Sequence, residues 1–511
     1  MKKFLLGILI SLALVGQAWG ADRNIYISSS AAAGGDGSIT TPYDAFSDIN
    51  WTTGGANSIF DWVAAGDDVC VNLSGTFLGV VFSVGTSGVA DHPITIQSYG
   101  SSITILEYAA YTVFQVSGKS FINITNIQAQ KTTTSGGILI SNSHDINIYN
   151  CITADNETAG IKITAASGGS SYNINVHNNI DYRSQNGIFA AAILGTEIYD
   201  ININENTCID NGETGIRCGT NSHDVNIYSN TIKDTGSLNG VDRVWGTGIE
   251  AGGYDADTYT YNINIYKNIV SGIIDVDSDG ADGLGIRFDQ YTKTCTMYNN
   301  FVYNCEGNGI ADVSKYGFGN IIKSNVILNC NTRSSEWPLQ ENAGIIINNG
   351  TGGTDQGKIY HNTVIGCDRG IYIYASGDVD IKNNIFYDLA AQGILINSTT
   401  YDSSLYTEDY NLVNNNASYS VGRIEAYATI TNVSAFLGAH SITTDPLITP
   451  SGKLQSNSPA IDTGVWITGV NDGGEEDPWG YGVYKIPNIG ASQRDPDMPS
   501  GLRGFLPIGR R

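Results

Sequence analysis

Four aspartates alternate with other residues in one short stretch, Asp275-Val-Asp277-Ser-Asp279-Gly280-Ala-Asp282. The D-x-D-x-D-G spacing turns alternate carboxylates toward one centre, and the glycine permits a sharp turn. That pattern suits calcium, a hard cation that takes oxygen ligands. Without a cation the four carboxylates repel one another, and the alternative is an acidic turn with hydrated side chains. The stretch is not an EF-hand, because Ile286 stands at the twelfth position, where a bidentate Glu is required. Directly after it, Gly285-Ile-Arg-Phe-Asp289 reads as a strand with Ile286 and Phe288 on one face and Arg287 and Asp289 on the other.

That strand is one copy of a recurring unit. A Gly-Ile pair opens ten copies of this strand, from Gly137-Ile138 to Gly393-Ile394, and the residue after Ile points outward. In successive copies this residue is Lys162, Phe189, Arg217, Glu250, Arg287, Ala311, Ile346 and Tyr372. Charge gathers at Arg217, Glu250 and Arg287. Read blandly, Glu250 neutralises two arginines in an exposed ladder that contributes little. Read functionally, the row is a site. A guanidinium clamps carboxylates and hardly ever releases its proton. Hydrolysis would need two carboxylates across the scissile bond, and Glu250 with Asp289 is the candidate pair. Trp245 and Trp337 lie in long loops, where they either stack on sugar rings or anchor those loops. Lys162 is a candidate for substrate binding. No Ser/His/Asp, zinc or phosphate-loop pattern emerges, and the six histidines are scattered.

The elements that position these residues follow from the repeat. Between Gly-Ile pairs sits a second alternating strand, such as Ile201-Asn-Ile203, and three residues after its last apolar position comes an asparagine. Eight successive copies supply Asn179, Asn206, Asn230, Asn268, Asn300, Asn325, Asn362 and Asn384, and the shortest interval is 22 residues. Strand-type alternation at this period is a solenoid signal. Each copy has one apolar face that it cannot bury alone, so the coils stack into parallel sheets around one apolar column. Asn tolerates the left-handed backbone expected at a sharp corner, and asparagines stacked about 4.8 Å apart can hydrogen-bond to one another. The fold expected is all-β, a right-handed parallel β-helix of about ten regular coils plus caps. From corner Asn to the next Gly-Ile, five intervals are 8 or 9 residues, but Asn230 to Gly248 is 18, Asn268 to Gly285 is 17 and Asn325 to Gly344 is 19. The insertions share one corner, so the loops project from one side and wall the Gly-Ile sheet.

Composition sets the bounds. The 511 residues carry only 15% charged side chains but 61 Gly and 29 Tyr, which suits turns and stacked strands. Residues 1–20 read as a secretory signal, with Lys2 and Lys3 before an apolar run, so the chain is expected outside the cytoplasm, secreted or periplasmic. The net charge is −24, or −26 without those two lysines. This charge argues against direct nucleic-acid binding, and an acidic polysaccharide is repelled unless a divalent cation sits between it and the protein. No later stretch is long and apolar enough to span a membrane, and a monomer is expected. Residues 21–120 form an N-terminal cap with early irregular coils, 121–397 the regular coils, 398–494 closing coils and a cap, and 495–511 a loose tail. Cys305, Cys330 and Cys367 each follow a corner Asn by five residues. They form a column of buried thiols or disulfides between neighbouring coils.

Together the coils, the opening segment and the ending Ser458-Pro-Ala-Ile-Asp-Thr-Gly464 with Pro487-Asn-Ile-Gly-Ala491 resemble secreted right-handed parallel β-helix proteins of the pectate-lyase-like superfamily. That fold hosts lyases, hydrolases, epimerases and non-catalytic surface proteins. Ala281-Asp-Gly-Leu-Gly-Ile-Arg287 also resembles the A-D-G-F-A-A-K segment of calcium-dependent family 9 polysaccharide lyases. The resemblance implies that Asp282 is a calcium ligand and that Arg287 takes the position of the proton-abstracting lysine. It implies a polysaccharide partner and calcium-assisted β-elimination on a uronic-acid-containing glycan. The alternatives are a glycoside hydrolase on the same fold and a non-catalytic, adhesive glycan-binding β-helix.

Overall fold

The computed structural model describes residues 22–236, 246–253, 258–274, 283–314, 316–331, 343–348, 357–373, 378–397, 406–414, 422–426, 429–432, 438–468, 470, 477–478 and 487–492. These form the parallel β-helix that the repeat dictates. Each coil gives one strand to each of three sheets. Sheet I has 15 strands, running from Asp22–Ser28 to Tyr406–Asp409. Sheet II has 13, from Thr76–Leu78 to Leu412–Asn414. Sheet III has 14, beginning at Phe82–Ser83 and containing the Gly-Ile strands. Pairing is parallel up to the last two strands of sheet III, Gly422–Ala426 and Thr429–Asn432, which pair antiparallel.

The ladder extends beyond the Gly-Ile coils toward the N-terminus without changing register: Val71 pairs with Ile96, and Ile96 with Ile124. The single α-helix among the described residues, Ile59–Ala64, starts at Ser58, whose hydroxyl accepts from the Asp61 amide. It adds Ile59 and Val63 to the core of the first coils. At the other end one bridge, Leu412 to Ile442, continues the stacking. The chain then turns back, laying Leu454, Ala460 and Ile489 over Ile385 and Leu412, and Ala491 over Val326 and Leu328, on the outer face of sheet II.

Packing explains why Gly recurs before Ile. These glycines face the core. A Cβ on Gly215, Gly248 or Gly285 would lie 2.4 Å from Ile232, Val270 or Val302 of sheet II. The coil is too narrow there for any side chain.

The corner asparagines serve a different purpose from the one expected. Their backbones are not left-handed; the residue before each one is, as in Asn178, Glu205, Ser229, Lys267, Ser324 and His361, with φ between 55° and 56°. That position accepts many residue types, because its side chain points to solvent or onto a neighbour and one strained dihedral is offset by the rest of the ladder. Asn is demanded one step later for its amide. The Asn230 Nδ2 donates to the Ile203 carbonyl at 2.9 Å and to Asn268 Oδ1 at 3.0 Å, while its Oδ1 accepts from the Asn206 backbone amide at 3.0 Å. Each corner thereby satisfies backbone groups that would otherwise be buried unpaired.

A second asparagine ladder runs up the outer face of sheet I through Asn123, Asn147, Asn175, Asn202, Asn226 and Asn264. Beside it stands a column of stacked rings, His144, Tyr172, Tyr199, His223 and Tyr261, with centroids 4.6 to 5.2 Å apart. All eight cysteines are free, and Cys305, Cys330 and Cys367 are buried thiols. Burial raises the Cys305 and Cys367 thiols well above their ordinary value, so they pack as small hydrophobes.

Candidate functional site

The outward row of sheet III is continuous. Lys162 pairs with Phe189, Phe189 with Arg217, Arg217 with Glu250, Glu250 with Arg287, and Arg287 with Ala311. Parallel register places neighbours one strand spacing apart, about 4.8 Å, so each side chain stands above the next. Cations recur at every second rung, with Phe189 and Glu250 between them.

The centre of the row is buried. Glu250 is 3% exposed and Arg217 8%, so this is not the solvated ladder of the bland reading. Glu250 Oε2 accepts from Arg287 Nη2 at 2.7 Å, and its Oε1 lies 3.2 Å from Arg217 Nε. Outer carboxylates complete the chain: Arg217 Nη1 reaches Glu213 at 2.9 Å and Arg287 Nη2 lies 3.5 Å from Asp289. Burial pushes the Glu250 carboxyl up, but the Arg287 and Arg217 guanidiniums outweigh it and hold the group below the usual carboxylate range. Glu250 is thus an ionised clasp holding two guanidiniums in place.

The N-terminal end of the row is more open. Phe189 lies between two cations, with Lys162 Nζ 5.8 Å and Arg217 Cζ 5.6 Å from its ring centroid. Burial lowers the Lys162 ammonium from its ordinary value, and no carboxylate pairs with it among the described residues. Past Arg287 the row turns apolar: Ala311, Ile346, Tyr372 and Leu395 are buried together.

The structure therefore brings Arg217, Glu250, Arg287 and Asp289 into contact and aligns Lys162 with them. Asp275, Asp277, Asp279 and Asp282, together with Trp245 and Trp337, lie outside the described residues, as do residues 1–20 and 495–511. What is described is the base of the calcium-loop candidate: the Ile274 amide donates to the Thr235 carbonyl, and the Gly283 amide to the Gly246 carbonyl. Among the described residues no group of three or more His, Cys, Asp or Glu is arranged to hold a metal. Sequence reasoning overlooked Glu213, whose signal was its place four residues before Arg217 on the way into the same strand. It also gave no role to Phe189.

The comparisons follow the fold. Residues 254–434 match the model of the right handed beta helix region. No curated protein matches the chain. Among solved structures, a GH136 lacto-N-biosidase from Eubacterium ramulus is similar at 13% identity and TM-score 0.47, over 79% of this chain and 67% of that one. The pectate lyase Pel9A is similar at 14% identity and TM-score 0.38, over 94% and 98%. The A-module of the mannuronan C-5 epimerase AlgE4 from Azotobacter vinelandii is similar at 13% identity and TM-score 0.40, over 75% and 93%. Likenesses this distant say nothing of chemistry. No helix among the described residues is long and apolar enough to cross a membrane. With its three stacked parallel sheets and the family match across its C-terminal coils, this chain is a right-handed parallel β-helix protein.

Proposed function

We propose that the outer row of sheet III binds an acidic polysaccharide and cleaves it by β-elimination. One observation carries this reading: on a chain of net charge −24, three cations, Lys162, Arg217 and Arg287, recur at every second rung of one outward row. Two rungs span roughly 10 Å. A polyuronate laid along the helix axis carries carboxylates at regular intervals and suits such a row. Arg217 and Arg287 stay charged throughout the physiological range and are held in place by Glu250, so their role is to clamp carboxylates.

A sugar lying against Phe189 would have its carboxylate within reach of Lys162 and Arg217. Lys162 binds as a cation, and burial, which lowers its ammonium from the ordinary value, favours the neutral amine that serves as the proton acceptor of the row. It takes the proton from the carbon bearing the carboxyl group. The electron pair left behind forms the carbon–carbon double bond, the bond to the leaving sugar oxygen breaks, and that oxygen takes a proton from water. The set Asp275, Asp277, Asp279 and Asp282 consists of hard oxygen donors only and fits calcium. These four aspartates would hold the ion, and calcium bound by them would supply positive charge that offsets a sugar carboxylate.

A hydrolase working through Glu250 and Asp289 is less well supported. A general acid must hold a proton at working pH, whereas both Glu250 oxygens face guanidiniums. The test is turnover of polygalacturonate, alginate and a neutral glycan, read both as ultraviolet absorbance of unsaturated uronate and as new reducing ends. Unsaturated product that disappears in Lys162→Met is the expected result. Reducing ends without unsaturation would replace elimination by hydrolysis. Binding without any turnover would leave an adhesive protein.

A further inference from the structure

The coil that carries Arg287 continues past Asp289 into a second cluster, which the row does not use. Lys293, in the short strand Thr292–Lys293, pairs with Tyr261 and so caps the ring column of sheet I. Its ammonium lies 4.1 Å from the Tyr259 ring centroid, 5.4 Å from that of Tyr261 and 5.9 Å from that of Phe318. Three rings attract the charge through their faces. No carboxylate pairs with it among the described residues, and Asp224 and Glu197, beside the same column, are turned to His223.

Phe318 and one further ring, Tyr316, stand in solvent beside it. Tyr316 is 46% exposed and Phe318 40%. The loop that carries them is fastened at several points. The buried Asp312 carboxylate accepts from the Ser314 hydroxyl and, at 3.3 Å, from Asn320 Nδ2. Asn320 Oδ1 in turn accepts from the Cys295 amide at 3.0 Å. The Phe318 carbonyl accepts from the Thr294 amide at 2.8 Å. A Cβ on Gly317 would lie 1.7 Å from the Thr292 carbonyl oxygen, so only glycine lets the loop press this closely. Tyr291 stacks on Tyr316 at 4.5 Å. The rings are therefore held in place before any ligand arrives, which lowers the entropic cost of binding.

The geometry points to a second glycan subsite at this corner, in which Phe318 and Tyr316 take the apolar face of an acidic sugar and Lys293 takes its carboxylate. The choice of ligand follows from charge. A neutral sugar would use the rings and leave the ammonium without a counterion, whereas an acidic sugar satisfies both. Lys293 lies six positions after Arg287, at most about 22 Å of chain, so one oligosaccharide can reach both. The inference rests on the acidic-glycan reading of the row and extends it around the corner.

Calorimetric titration of the full chain with a galacturonate oligosaccharide, and with its carboxyl-reduced neutral counterpart, tests it. Lys293→Met and Phe318→Ala should each weaken uronate binding about tenfold, with melting temperatures unchanged. The neutral counterpart should lose affinity in Phe318→Ala but not in Lys293→Met. If both variants bind the uronate like the unaltered protein while Arg287→Ala does not, the corner subsite is refuted and the row stands. If Arg287→Ala binds normally and Lys293→Met does not, the corner stands and the row reading fails. If the unaltered chain binds neither glycan, both are wrong.

Discussion

Replacing Glu250 with glutamine tests whether the centre of the row is a buried clasp or a decoration. The change keeps the shape and removes the charge shared by Arg217 and Arg287. Removing one partner from a buried ion pair costs about 3–5 kcal/mol, because the other charge is left in a poor solvent. Here each guanidinium keeps one carboxylate, Glu213 at 2.9 Å and Asp289 at 3.5 Å, which argues for the lower end, about 3 kcal/mol. Stability in a solenoid is local to neighbouring coils, so the loss should appear first in hydrogen exchange of Thr214–Cys218, Thr247–Ala251 and Leu284–Phe288. About 3 kcal/mol corresponds to exchange roughly a hundredfold faster in those strands, with the first coils unchanged. The pH dependence has a definite sign. A depressed carboxyl stabilises the fold above its ordinary value of 4.5 and loses that contribution as pH falls through the folded-state value below it. The variant and the unaltered protein should therefore converge in acid. Exchange that changes less than fivefold at neutral pH, or a difference that persists unchanged into acid, would refute the buried-clasp argument.

Two further perturbations address the scaffold. Burial raises the Asp181 carboxyl to about 7, against hydrogen bonds from Thr153, Asn211 and Ser184 that pull it down. The folded state therefore holds its proton more tightly than the unfolded chain does, and stability present below about 3.8 should fall as pH rises toward 7. Asp181→Asn should flatten that slope in urea titrations, with a gain at pH 8 of at most about 4 kcal/mol; the Asn211 amide, whose carbonyl oxygen lacks a partner, can turn to meet the new N–H. Gly248→Ala would set a methyl 2.4 Å from Val270 and 2.5 Å from the Gly285 carbonyl oxygen. It should destabilise by about 1–3 kcal/mol, measured as a lower urea midpoint, although alanine ordinarily favours a chain over glycine at such backbone angles.

How much of this was legible beforehand depended on whether the information was periodic. Alternation of Ile with polar residues, the recurring Gly-Ile and the recurring Asn all carry the coil period, and a stacked coil converts period directly into register. For that reason the row from Lys162 to Arg287 could be written down from the chain alone. The fold class followed in the same way, since repeats that cannot bury their apolar face singly must stack. What the period does not encode is depth. Nothing in the residue types said that Glu250 would be 3% exposed, because burial there depends on what covers the outer face. The left-handed corner also escaped, because it falls on the residue before Asn, where Glu, Ser, Lys and His serve alike and no residue type marks it. The role of Gly was hidden for a related reason: at Gly215, Gly248 and Gly285 its cause is a valine or isoleucine on the opposite sheet, a contact between sheets that only the closed coil creates. The cluster of Lys293 with Tyr259, Tyr316 and Phe318 draws on three successive coils and a loop held by Asp312. Its members share no spacing in the chain, so only the tertiary structure could assemble them.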